Sequence, residues 1–587
     1  MSIRRVTVLL SLVLAACVPL AIRAQQPACT TGIVQTSSGP VCGKSSPINI
    51  PGPGAFTANA YLGIPYAQPP VGTMRWQNPV APNAWTAPFQ ATQFGNACLQ
   101  PPPPPAKPSC PLAANQSEDC LYLNVWTPTG AAPSAKLPVL MFIHGGAFYE
   151  GTGGSSTADT FDGTYLAASQ NVVVVTFNYR LGVLGFLATH DMPAGSTGNF
   201  GFRDQLMALN WVHQNIASFG GNASQVLIFG QSAGAMSVGL HALSSPQSAG
   251  LFKAALMESN PLGVPYKTLA QAKTFGTAYS KLLNCSNLQC LQQKSACELV
   301  VQENSPCLPA NAFAPTATLL SSALHWAPTI DGSLITGQPM DNVGSNLKVP
   351  MLMGTNQDEG FLFASLMASA PTCPTNPKVP NLSPQARYAI SLGVLFGVKQ
   401  ALAITANSRY SCPQGSPTCT PQLANVITDY LFTCANRQFA GSAGSAPLYM
   451  YLFNHAASFN TVPALPTCLG QICHGAELAF VFNTAELIPS TTATLNAFQP
   501  AEEALSQTMG GYWASFAKSQ SPGTAWPLFN PNKTYLKLDV SSSTANDPLS
   551  TTANCNFWAT IAPYQNNALW DRLLAPVKAA PKKKPAH

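Results

Sequence analysis

The sequence predicts an α/β protein: a mostly parallel central sheet flanked by helices, with large helical and loop insertions. Three observations predict it. Leu121–Trp126, Leu137–Ile143, Val172–Asn178 and Val226–Phe229 are short, strongly apolar runs, and runs apolar on both faces belong to a buried sheet. Between the third and fourth, Asp204 to Phe219 carries Leu206, Leu209, Val212 and Ile216 at helical spacing, and a strand, helix, strand order implies parallel strands joined by right-handed crossovers. The fourth run passes directly into Gly230-Gln231-Ser232-Ala233-Gly234 and then into a helix-like run.

A chain of 587 residues leaves room for several domains, yet no linker divides it and no repeat recurs, so one large domain over residues 25–570 is expected. Hydrophobic residues make up 46% of the chain, which excludes a disordered protein, and charged residues only 9%, which suits an extracellular one. Arg4 and Arg5, the apolar run Val6 to Ile22 and then Arg23-Ala24-Gln25 read as a secretory signal peptide over residues 1–24. The run is near the lower limit for a membrane span, and no later stretch is apolar enough to be one. Leu14-Ala15-Ala16-Cys17 offers an alternative, because it resembles the bacterial lipoprotein box in which the cysteine is lipidated. The expected location is secreted or periplasmic, with lipid anchoring at the cell surface through Cys17 as the alternative. Seventeen cysteines, one of them in the leader, leave an even number in an exported chain, where disulfides are the default. The net charge of +6 falls to near neutrality once Arg4, Arg5 and Arg23 of the leader and Lys578, Lys582, Lys583 and Lys584 of the tail are set aside. A basic surface for nucleic acid is thereby excluded, and the tail, residues 571–587, reads as a solvated end.

In chain order, Thr31–Thr36 and Val41-Cys42 read as two short strands about a turn, with Cys29 and Cys42 placed to staple the hairpin. Ala60 to Gly72 is punctuated by glycine and proline and reads as fixed irregular structure. Cys98 and Cys120 enclose a loop with an unbroken proline run from Pro101 to Pro105. Beyond the glycine-flanked serine, Val349–Gly354 and Leu448–Phe453 read as further strands, and the stretches 260–345 and 361–445 as helical and loop insertions.

Gly-x-Ser-x-Gly at a strand-to-helix junction reads as a nucleophile elbow, in which Ser232 sits in a strained turn with its hydroxyl exposed. A free serine hydroxyl is a weak nucleophile, so the elbow has meaning only with a base, an orienting acid and an oxyanion hole. His144-Gly145-Gly146-Ala147-Phe148 follows the second apolar run directly. Alone it reads as a structural glycine turn beside a core histidine; with the elbow it reads as a source of backbone N–H groups for an oxyanion, joined by the N–H of Ala233. In such folds the order is serine, acid, histidine. Of eight histidines only His455, His474 and His587 follow the last strand run. His455 ends that strand and His587 lies in the tail, which leaves His474 as the base. Asp358 and Glu359, after the strand run that ends near Gly354, are both candidates for the acid, and the residues alone do not separate them.

The motifs together resemble the type-B carboxylesterases, the α/β-hydrolase family that includes cholinesterases. Those carrying the resemblance are Gly63-Ile-Pro-Tyr-Ala-Gln-Pro-Pro-Val-Gly72, Glu118-Asp-Cys-Leu-Tyr-Leu-Asn-Val-Trp126, Asn178-Tyr-Arg-Leu-Gly182, Gly198-Asn-Phe-Gly-Phe-Arg-Asp-Gln205, the elbow, Asp358-Glu-Gly360 and His474-Gly475. The resemblance implies Glu359 as the acid, His474 as the base, backbone groups of Gly145, Gly146 and Ala233 as the oxyanion hole, and disulfides Cys98 to Cys120, Cys285 to Cys290 and Cys434 to Cys555. Two departures bear on substrate. Gln231 stands where the family usually has glutamate, and the segment between Cys98 and Cys120 has no tryptophan, so recognition of a quaternary ammonium by cation–π contact is not expected. Nor does position 231 carry the cysteine by which tannases and feruloyl esterases tie this loop to the histidine loop. Cys468, Cys473 and His474 have a spacing compatible with metal ligation, but in an exported chain the two cysteines are expected to form a disulfide.

The expectation is a serine carboxylic-ester hydrolase that works through an acyl-enzyme on neutral, small-molecule esters. It calls for no metal or organic cofactor. The same chemistry on a polyester, a toxin ester or a lactone is the alternative. A non-catalytic, cholinesterase-like binding protein is the alternative of another class; in those the serine is typically replaced, whereas Ser232 is present.

Overall fold

In the computed structural model the chain is described over residues 29–564, apart from 51–53, 102–112, 114, 155–159, 194, 303–324, 369–382, 463–465, 490–495, 531, 548–553 and 563. The leader with Cys17, most of the proline run and the basic tail lie outside the described residues.

The apolar runs become strands whose alternate side chains feed two cores. Val139, Met141, Ile143, Val175, Ile228, Met257 and Met353 point to one face, while Leu140, Phe142, Val174, Leu227, Phe229, Leu256 and Leu352 point to the other. This two-residue alternation explains why each run is apolar throughout: both faces are covered. In chain order the strands are β1 (Lys44–Ile50), β2 (Gly54–Pro65), β3 (Tyr122–Pro128), β4 (Leu137–Ile143), β5 (Val173–Phe177), β6 (Gly221–Gln231), β7 (Ala254–Glu258), β8 (Met351–Asn356), β9 (Leu448–Phe453), β10 (Thr534–Leu538) and β11 (Ser543–Asn546). They form one sheet in the order β11-β10-β9-β8-β7-β6-β4-β5-β3-β2-β1. From β5 through β4, β6, β7, β8 and β9 to β10 every pair is parallel. One edge is closed by antiparallel β3, β2 and β1 and the other by antiparallel β11.

The run Leu121–Trp126 becomes β3, which is apolar on both faces like its neighbours and runs antiparallel to β5, as a mostly parallel sheet allows. Two sequence expectations need correction. The segment from Ala60 is not irregular: Ala60 to Pro65 is the end of β2. Gly63, at φ 71°, makes a bulge where the β2–β3 register shifts between Tyr61 and Ile64, so the glycine marks a kink within a strand rather than its absence. The strand before Ser232 begins at Gly221, five residues earlier than the apolar run, because Gly221 pairs with Leu137 before the register shifts.

Four helices matter for the site. α1 (Phe200–Asn215) is the crossover before β6 and ends in a 3-10 turn. α2 (Ala233–Leu243) leaves the elbow, α3 (Glu359–Ala368) follows β8, and α4 (Pro500–Ser519) packs beneath the sheet's second face. The two insertions contribute further helices, among them a π-helical turn over Ile427–Thr433. Disulfides join Cys29 to Cys42, Cys98 to Cys120, Cys285 to Cys290, Cys412 to Cys419, Cys434 to Cys555 and Cys468 to Cys473. Among the described residues, no helix is long and apolar enough to cross a membrane.

Candidate active site

Ser232 caps α2 with φ 58° and ψ −120°, a conformation that a residue with a side chain adopts only when its surroundings enforce it. They do so through the backbone. The Ser232 N–H donates to the Glu258 carbonyl at 2.9 Å and its carbonyl accepts from Met236 N at 2.9 Å. A Cβ on Gly230 would lie 2.6 Å from the Ile143 carbonyl oxygen, and one on Gly234 would run into that same oxygen. The two glycines of the motif are therefore where β6 and α2 press against the end of β4.

That end of β4 leads into His144 and the glycine turn. Gly146, Ala147 and Phe148 have φ of 101°, 54° and 60° in succession, and the Gly146 carbonyl accepts from Tyr149 N and Glu150 N at 2.9 Å. Left-handed backbone costs an ordinary residue about 1–2 kcal/mol, and packing offsets it. Phe148 is fully buried, edge-on to Phe186 at 5.4 Å, and its carbonyl accepts from Gly182 N at 2.7 Å. Gly145 lies directly against the elbow: a Cβ there would come 3.0 Å from the Ser232 Cβ. His144 is not part of the titrating set. It stacks on Tyr179 at 4.4 Å, faces the Gly145 carbonyl, and burial holds its imidazole down at about 4.

His474 Nδ1 lies 2.5 Å from Glu359 Oε2. The other carboxylate oxygen accepts from Asn356 N at 2.8 Å, and Glu359, fully buried, opens α3, where the helix dipole favours an anion. Asp358 does something else: its Oδ2 accepts from Ile472 N at 3.1 Å, which ties its loop to the His474 loop without touching the imidazole. The geometry thus separates two carboxylates that the sequence leaves equivalent. Gly360 has no room for a side chain because a Cβ would meet the Ala424 carbonyl. Its N–H donates to Thr428 Oγ1 at 2.8 Å. Thr428 belongs to the π-helical turn, and Phe432 of the same turn stands 5.1 Å from the His474 ring, with Phe363 at 5.0 Å. π-helical turns occur often at functional sites.

Behind the imidazole lies a polar cluster that sequence reasoning missed. The Asn356 amide donates to the Cys473 carbonyl at 2.8 Å and to Glu477 Oε2. Ser259, left-handed at φ 52°, donates to Glu477 Oε1 at 3.4 Å. Glu258, one residue earlier, accepts from Trp513 Nε1 of α4 at 2.5 Å. Burial pushes the Glu258 carboxyl well above the usual range, with the Glu477 charge adding to it. Burial first, and then the Glu359 charge, push Glu477 up to about 7. The available signal was the position of Glu477, three residues after His474 and therefore on the same short turn. Gln231, the last residue of β6, places its Nε2 3.1 Å from His474 Nε2. Among the described residues no group of three or more His, Cys, Asp or Glu side chains is arranged to hold a metal ion; Cys468 and Cys473 are joined to each other.

The carboxylesterase-family sequence profile matches residues 30–558. A mouse cholinesterase is 34% identical over 561 residues, covering 90% of this chain and 87% of its own. The crystal protein of Dictyostelium discoideum is 35% identical over 518 residues, covering 84% and 86%. Among solved structures, a thermophilic PNB esterase superposes with a TM-score of 0.70 at 30% identity, covering 90% of this chain and 100% of that one. With an elbow, a glycine turn and a carboxylate-bound histidine at one end of a sheet of this topology, the chain belongs to the carboxylesterase family, has the α/β-hydrolase fold and is a carboxylic-ester hydrolase.

Proposed function

We propose that Ser232 is the nucleophile, His474 the base and Glu359 the acid of an acyl-enzyme mechanism, with the N–H groups of Gly145, Gly146 and Ala233 as the oxyanion hole. The observation that carries the reading is the 2.5 Å contact between His474 Nδ1 and Glu359 Oε2. It fixes the tautomer in which Nε2, on the side of the elbow, bears the lone pair. Ser232 Oγ attacks the ester carbonyl while its proton passes to Nε2, and the three N–H groups receive the oxyanion charge as it forms. The leaving alcohol takes the proton from Nε2. Water, deprotonated by the same nitrogen, then releases the acid and restores the serine. Ser232→Ala is expected to lower turnover by about 10⁶ with an unchanged circular-dichroism melt, and to abolish labelling by a fluorophosphonate. Turnover near the wild-type value would remove Ser232 from the role.

We further infer that the natural esters are neutral, because Gln231 replaces a carboxylate beside the serine and the segment from Cys98 to Cys120 has no tryptophan. Export with removal of residues 1–24 fits the six disulfides of the described residues. Sequencing the N-terminus of the mature protein decides between cleavage before Gln25 and a lipidated Cys17.

A further inference from the structure

Gln231 occupies the nitrogen that the mechanism needs. With Nδ1–H of His474 directed at Glu359, Nε2 is an acceptor, so in the 3.1 Å contact the Gln231 amide is the donor. The side chain is enclosed, Gln231 being 5% exposed. Its Oε1 lies so close to the glycine turn that a Cβ on Gly145 would stand 2.8 Å away. Among the described residues no hydrogen bond joins Ser232 Oγ to His474 Nε2, and Ser232 makes no side-chain cap on α2.

We propose that Gln231 is a positioning residue that clasps the base by its lone pair, keeping the imidazole neutral and apart from the serine until substrate displaces the amide. The proposal rests on the assignment of Ser232 and His474 above. An amide N–H stabilises only the neutral ring. Once the ring is protonated, Nε2 carries a hydrogen of its own and the two donors meet head to head. The charged groups around the ring are Glu359 at Nδ1 and Glu477 behind it; Phe363 and Phe432, stacked on each other at 5.6 Å, pack against it without charge. The Glu359 carboxylate favours the protonated ring and Gln231 opposes it, while Glu477, pushed up to about 7, carries little charge over the acid limb. A glutamate at position 231 would side with Glu359. In each acylation the arriving substrate must displace this hydrogen bond before Ser232 can pass its proton to Nε2.

The experiment is the second-order rate constant of inactivation by a fluorophosphonate, measured from pH 4.5 to 9 on the full-length mature enzyme and on Gln231→Met, Gln231→Glu and Ser232→Ala. Ser232→Ala separates the two claims: labelling that survives in it defeats the assignment on which the clasp rests, whereas loss of labelling there together with an unmoved acid limb in the Gln231 variants defeats the clasp alone. In Gln231→Met, which keeps the length and loses the donor, the acid limb is expected to move up by about 0.5 unit. The plateau should rise by about 2- to 10-fold, the size of one lost competing hydrogen bond. In Gln231→Glu the limb is expected to move up by about one unit or more, because a carboxylate accepts from the imidazolium. A limb that stays in place or moves to lower pH in either folded variant overturns the proposal. If one variant does not fold, the other decides. A packing role for Gln231 would lower the plateau without moving the limb.

Discussion

The two halves of the site are held in different ways. Ser232 and the turn Gly146–Phe148 are fixed by backbone: four consecutive or neighbouring left-handed residues, glycines that abut carbonyl oxygens, and a buried phenylalanine that locks the turn. His474 is fixed by side chains: Glu359 in front, Asn356 and Glu477 behind, two mutually stacked aromatic rings packed against it and a disulfide closing its loop. The difference teaches where each half is vulnerable. The Ser232 side fails when volume is added, and the His474 side fails when charge or hydrogen bonding is altered.

The largest expected effect tests the His474 side. Glu359→Gln should lower kcat by about 10⁴, the cost of losing the orienting carboxylate of a triad, while Asp358→Asn should stay within about tenfold because Asp358 holds only Ile472 N. Steady-state kinetics on one ester give both, and the reverse ranking would mean that the carboxylates exchange roles. Next comes the Ser232 side. Gly234→Ala should destabilise by about 3 kcal/mol or more, at the upper end for overpacking, since its Cβ has the Ile143 carbonyl in its way. Gly393→Ala, inside the helix Pro384–Phe396 with nothing within 4 Å of the added carbon, should instead stabilise by about 0.4–1 kcal/mol. Urea midpoints compare the two, and equal shifts would break the claim that volume is what the elbow cannot absorb.

A third test is electrostatic. Glu477 has a folded-state value of about 7, raised by burial and then by Glu359. As the pH rises from about 4.5, the unfolded chain releases this proton while the folded one retains it, so Glu477 subtracts stability progressively up to about pH 7. Glu477→Gln should remove that slope, leaving a Tm difference from wild type that becomes more favourable by several degrees between pH 5 and pH 8. A constant difference would show that the carboxyl titrates like an ordinary one. The smallest effect concerns substrate: a neutral ester should exceed the choline ester of the same acyl chain in kcat/KM by about 2- to 30-fold, the range of one cation–π contact. Gln231→Glu should narrow that gap. A preference for the choline ester in the wild type would reveal a cation site elsewhere, with Tyr149 the first residue to substitute.

The parallel core of the fold was legible because burial on both faces writes itself as unbroken apolar runs, as in Leu137–Ile143. The edges were not. β2 is interrupted by Gly63, and β10 and β11 carry Lys537, Ser543 and Asn546 on a half-exposed edge, so neither shows the pattern of its neighbours. In the site, motifs of short span such as Gly230–Gly234 could be read directly because their chemistry is local. The cluster around Glu477 comes from three places in the chain: Asn356 ends β8, Ser259 follows β7 and Glu477 follows His474. Nothing in the order of residues brings them together before the sheet does. The π-helical turn at Ile427–Thr433 was hidden for a similar reason, since one extra residue per turn leaves an apolar stretch that looks like ordinary helix.

The Cys434–Cys555 disulfide closes a loop across a sequence separation of 121 that contains His474. A protease that cuts once anywhere between these cysteines makes two polypeptides that remain a single covalent molecule. Non-reducing electrophoresis would show one full-size band from the nicked protein, and reducing electrophoresis two. Unfolding such a molecule does not let the piece bearing the base diffuse away, so renaturation after nicking stays unimolecular and independent of concentration. Reduction before denaturation turns it into a two-body encounter. The bridge thereby keeps the molecule in one covalent piece after a nick anywhere between residues 434 and 555, for as long as its surroundings remain oxidising.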